Sequence, residues 1–182
     1  MARQSVGVES IRLTTVPSAV QTVQASFEIF LLSIWLGSML FFSFGVAPSA
    51  FSSLPTKQLA ALVVTSTLSK VELIGLIAGP LLIISILFRS ATASKKRSAA
   101  TWPSLTLVIV MTAAAALSRY YITPVMVAIR NGLPDIIDRI PAGDPSRIKF
   151  DQLHQYSVGL MSVALLAGLV MLFLTVRVWM KR

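Results

Sequence analysis

Cysteine is absent from this chain of 182 residues, and His154 is its only histidine. Without thiols there is no disulfide, no thiolate nucleophile and no Cys-ligated zinc or iron–sulfur site. A single histidine rules out haem b held by two histidines of one chain. Haem with one axial ligand, or haem shared between subunits, stays open as the least favoured option; otherwise no cofactor is expected. The methionines are scattered without the spacing of a copper site, so no metal is expected either. Acidic residues number only 7 against 16 Lys and Arg, a formal net charge of +9. Such a balance often signals nucleic acid. Here the cations gather at the ends of apolar runs, where anionic headgroups lie, so no nucleic-acid partner is expected.

Hydrocarbon is what the chain has in abundance. Hydrophobic residues make up 55% and charged residues 13% of it, with a mean hydropathy of +0.78. Four long apolar stretches fall at residues 27–50, 60–88, 104–129 and 155–176. Each is long enough to cross a hydrocarbon core of about 30 Å. Leu73 to Phe88 is apolar around the whole helical circumference, apart from Ser85, which suits lipid and a bundle interior rather than a soluble surface. The expected fold is all-α: an integral membrane four-helix bundle. It divides into a cytoplasmic leader (1–26), a four-helix transmembrane domain (27–176) and a basic cytoplasmic tail (177–182). Ala47-Pro48-Ser49 loosely matches a signal-peptidase site. The apolar run before it is too long for a signal peptide, and Arg12 lies far upstream of it, so the segment is read as retained.

Orientation follows from lysine and arginine near the helix ends. Arg89, Lys95, Lys96 and Arg97 occupy the second connection, and Arg177, Lys181 and Arg182 the C-terminus, with no acid beside them. The first connection offers only Lys57, and the third balances its cations with Asp135, Asp138, Asp144 and Asp151. Both termini are therefore expected in the cytoplasm, of a bacterial inner membrane by the style of the chain. In the third connection Val125, Met126, Ile129, Leu133, Ile136, Ile137 and Ile140 recur at helical spacing. This predicts an outward extension of the third helix, then a short amphipathic helix; a plain surface loop fits equally well. Asp151 is the expected N-cap of the fourth helix.

With that orientation, polar side chains from separate spans fall near one level under the outer leaflet. Glu72 lies on the second helix, Arg119, Tyr120 and Tyr121 on the third, His154 and Tyr156 on the fourth. Glu72 shares a face with Gly75 and Gly79. Small residues on such faces let backbones approach in lipid, where no hydrophobic effect pulls helices together. Gly37 and Gly45, with Ser33, form a similar stripe on the first helix. Ala164 and Gly168 do so on the fourth, in phase with His154 and Met161. An ionised group at mid-bilayer costs about 3 kcal/mol, so these groups either pair or face water. Two readings stay open: a pocket, or structural glue such as a Glu72–Arg119 or Glu72–His154 bond. Lys70 is expected to snorkel. Trp35, Trp102 and Trp179 read as packing or interfacial anchors.

The first helix carries Trp35, Gly37, Phe41, Phe42, Ala47, Pro48 and Phe51, and the fourth opens Leu153-His154-Gln-Tyr-Ser157. With Tyr121-Ile-Thr-Pro124 and Arg130, this pattern resembles the four-helix membrane family that includes transmembrane protein 205, whose bacterial members carry a domain-of-unknown-function label. The resemblance implies the four-helix fold and little chemistry. The eukaryotic namesake's association with resistance to platinum drugs suggests export or vesicle traffic, and no residue here inherits a role from it.

Three functions compete. The first is a small-solute binding or transport module with an outward-facing polar pocket at Glu72, Arg119, Tyr120, Tyr121, His154 and Tyr156. Four helices are few for alternating access, so it would work as a homo-oligomer or with a partner membrane subunit. The second is an accessory or scaffold subunit whose polar cluster is structural. A haem-linked membrane enzyme comes third. Ser157 lies one turn from His154, a spacing too common to mark a catalytic pair, so no enzyme is expected.

Overall fold

A computed structural model describes residues 19–92, 101–133 and 137–180. No strand occurs among the described residues, and four helices are long and apolar enough to cross a membrane. The chain is an all-α, integral membrane four-helix bundle. Most of the leader, Lys95 to Arg97, Asp135, Ile136, the last two residues and the Trp179 side chain lie outside the described residues.

The first span joins α1 (Ala19–Phe41), a π turn (Phe42–Val46) and α2 (Ala47–Ser53). It begins eight residues before its apolar run, because Gln24 and Glu28 belong to its packed face. A three-residue connection follows. Thr56 then caps α3 (Lys57–Thr92), its hydroxyl accepting the Leu59 amide at 3.3 Å. The third span joins α4 (Thr101–Leu117), a second π turn (Ser118–Ile122) and α5 (Thr123–Gly132). A single 3-10 turn, Ile137–Arg139, precedes α6 (Pro145–Met180). The expected extension of the third helix is thus α5. Of the amphipathic element expected after it, the described part is this 3-10 turn.

Both π turns have the same cause. Pro48 and Pro124 have no N–H, so the carbonyls of Phe44 and Tyr120 lose their α-helical donors. The turn before each proline widens, with the Ala47 amide donating to the Phe42 carbonyl and the Thr123 amide to the Ser118 carbonyl. The helix continues through the proline instead of ending. The start of α6 corrects the sequence expectation. Asp144, not Asp151, caps it: its carboxylate accepts the Ser146 amide at 2.8 Å and the Arg147 amide at 3.4 Å. Asp-Pro at the N-cap and first helical position is a strong start signal, and Asp151 sits within the helix, 3.9 Å from Arg147.

The spans pack as a closed ring in which α1 touches α3 and α6, and α4 touches the same two. Leu32, Trp35, Leu82, Val108 and Met111 fill the centre, while Phe30, Phe44, Ile77, Ile84 and Phe173 stand exposed outside. Apolar inside and out is the condition of a bundle solvated by lipid. Glycines set the closest approaches. A Cβ on Gly75 would lie 2.7 Å from the Trp35 ring, one on Gly79 would meet the Thr112 hydroxyl, and one on Gly168 would lie 2.5 Å from Leu36. Gly37 has nothing within 4 Å, and Gly45 meets only Phe41 of its own span.

Candidate functional site

Glu72 is carried inward by its position on α3, three residues before Gly75, and is 5% exposed. The π turn of α4 supplies its partner. Ser118, the first residue of that turn, donates its hydroxyl hydrogen to Glu72 Oε1. Glu72 Oε2 has no hydrogen-bond partner among the described residues. Glu72 also lines a cavity of about 40 Å³ to which all four spans contribute: Trp35 and Met39 from α1, Leu68 and Val71 from α3, Ala114 and Ala115 from α4, Ser157, Met161 and Ala164 from α6. Ser118, Ser157 and the Trp35 indole N–H supply the other polar groups among the lining residues. The cavity has room for one or two water-sized species.

Arg119, next along the π turn, does not pair with Glu72. Its Nη1 donates to the Ser69 carbonyl at 2.6 Å and to the Ser69 hydroxyl at 2.7 Å. Ser69 and Glu72 lie one turn apart on α3, so two successive residues of one π turn fasten α4 to one seam of α3.

The other residues singled out by sequence lie elsewhere. Tyr120, Tyr121 and Tyr156 are exposed, and His154 is exposed without lining the cavity. His154 does share its helical phase with Met161 and Ala164, which reach the cavity. At its own level its side chain is nevertheless exposed. Lys70 is exposed, as its 200° offset from Glu72 requires.

A second polar layer escaped the sequence reading. Glu28 on α1 is fully buried and ion-paired with Arg89 of α3. Ser85 donates to Glu28 Oε1 at 3.0 Å, and Gln24 donates to the Ser85 carbonyl at 2.7 Å. Sequence placed Arg89 among the linker cations and passed over Glu28. The signal was available: Gln24/Glu28 and Ser85/Arg89 are i,i+4 pairs near the facing ends of antiparallel neighbours. Met111 meets Gly168 across α4 and α6. Seven residues before Met111 and seven after Gly168, Ser104 and Thr175 are both buried near this level, and Thr175 Oγ1 has no partner among the described residues. The thirteen residues from Glu72 to Ser85 separate the two layers by about 20 Å, with the apolar core between. Among the described residues no group of three His, Cys, Asp or Glu is placed to hold a metal.

A family profile described as a domain of unknown function, DUF4149, matches residues 30–133. That is more than half of the chain. The chain belongs to the DUF4149 family. No curated protein and no solved structure matches it. The DUF4149 match runs from α1 to the end of α5, so it contains Glu72, Ser118, Arg119, Ser85 and Arg89. It stops short of α6, which closes the cavity with Ser157, and begins two residues after Glu28. The Leu153–Ser157 segment also lies beyond the DUF4149 region, and no match links the chain to the transmembrane protein 205 family.

Proposed function

We propose that this protein is a membrane-embedded binding module that holds a very small polar solute at Glu72, at the centre of the four spans. The observation that carries this reading is Glu72 Oε2: a buried carboxyl oxygen without a partner among the described residues, on a side chain that lines a cavity otherwise almost entirely apolar. A buried polar atom left unsatisfied costs about 1–3 kcal/mol, and a ligand that bonds it recovers that cost. The volume confines the ligand to one or two water-sized species. The binding site is therefore smaller and more central than a pocket lined by Tyr120, Tyr121, His154 and Tyr156. The excess of cations at Arg89, Lys95 to Arg97 and Arg177 supports both termini facing the cytoplasm.

A second reading has its own support. The Glu72–Ser118, Arg119–Ser69 and Glu28–Arg89 contacts each join two spans, as they would in a scaffold subunit whose polar groups only hold helices together. Thermal unfolding of purified protein with small solutes separates the two, using wild type, Glu72→Gln and Ser157→Ala. A binding module shows a solute-dependent rise in Tm that Glu72→Gln abolishes and Ser157→Ala weakens. If no solute moves the wild type while Glu72→Gln lowers Tm in every buffer, the scaffold reading replaces it.

A further inference from the structure

Resting on the reading of Glu72 as a binding group, we infer that the cavity selects a monovalent inorganic cation of about sodium size. Three features of the wall narrow the chemistry. The space of about 40 Å³ suits an ion with a water. The polar side chains of the lining are a carboxylate, two serine hydroxyls and one indole N–H, from Glu72, Ser118, Ser157 and Trp35. Ser118 Oγ spends its hydrogen on Glu72 Oε1 and keeps its lone pairs, so the acceptors among these groups are all hard oxygens.

Charge completes the selection. The wall brings one carboxylate and no second acid, so a single positive charge neutralises it, whereas a divalent ion is ordinarily met by more than one carboxylate. Anions would meet Glu72 directly. Of the cations nearby, Arg119 is directed to Ser69 and makes no ion pair with Glu72 among the described residues, while Lys70 and His154 are exposed. The Trp35 indole, 1% exposed and fixed in place against Gly75, forms part of the same wall. A single carboxylate with hydroxyl oxygens in an apolar shell is a cation site.

Trp35 also reports on its occupant. With Trp102→Phe and Trp179→Phe, the remaining tryptophan lines the cavity. Its emission and the protein's Tm are followed in lipid nanodiscs during titration with sodium, potassium or choline chloride at constant ionic strength, at two pH values, and with formamide as the neutral probe. The expected result is a saturable change with sodium, none with choline, and loss of the change in Glu72→Gln. A response to formamide but to no cation overturns the cation assignment and leaves the binding reading standing. A response to pH with none to salt overturns it in favour of a proton. No response to any probe in either readout overturns both.

Discussion

The buried Glu28–Arg89 pair permits a quantitative test of how the bundle is held. Glu28 on α1 is fully buried, and Arg89 is 6% exposed, three residues from the end of α3. Removing one partner of a buried ion pair leaves the other uncompensated, a cost of about 3–5 kcal/mol. The two ends are not equivalent. Arg89 has a long side chain near a helix end and can turn toward headgroups when its partner is lost. Glu28 has a short one and cannot. Arg89→Met should therefore destabilise by about 3 kcal/mol. Glu28→Gln, which keeps an acceptor for the Ser85 hydroxyl, should cost about 1–2 kcal/mol. Both single changes break the same pair, so the double variant should resemble Glu28→Gln alone. That corresponds to a coupling of about 3 kcal/mol, well above the few tenths by which independent sites depart from additivity. Denaturant unfolding of the four proteins in mixed micelles measures it. Additive single effects, or a larger loss for Glu28→Gln than for Arg89→Met, would refute the reasoning.

Two further outcomes follow from packing and charge. Gly168→Ala places a methyl 2.5 Å from Leu36 Cδ2 and 2.9 Å from Met111 Cε, and should cost about 1–3 kcal/mol. Gly37→Ala, with open space around it, should stay within about 0.5 kcal/mol of wild type in the same unfolding assay. A membrane-impermeant amine reagent applied to intact cells should modify Lys57 and spare Lys95 and Lys96 until the membrane is opened; the reverse pattern would invert the topology.

Much of the fold is written in linear order. A run such as Leu73 to Phe88 has no polar face, so only lipid or a bundle interior can solvate it, and its length fixes a span. Pro48 and Pro124 withdraw a backbone donor wherever they stand, which makes a local disturbance at each readable from the chain. Asp144-Pro145 was equally legible as the start of α6 and was passed over in favour of Asp151, which left the fourth helix two turns short.

Side-chain partnership is another matter. Periodicity gives the direction of a residue on its own helix, and it turned Glu72 inward correctly. It gives neither the height nor the identity of what stands opposite. Ser118 and Arg119 reach α3 because a π turn widens α4 at that point, and they divide Glu72 and Ser69 between them, a division that no spacing along the chain encodes. His154 is in phase with the residues of α6 that line the cavity and still stands exposed outside it. Sequence alone determined that this protein lives in a bilayer as four helices, because solvation by hydrocarbon is a property of each segment by itself. Which buried charge is paired, and which oxygen is left open to a ligand, depends on contacts between segments, and only the assembled bundle decides them.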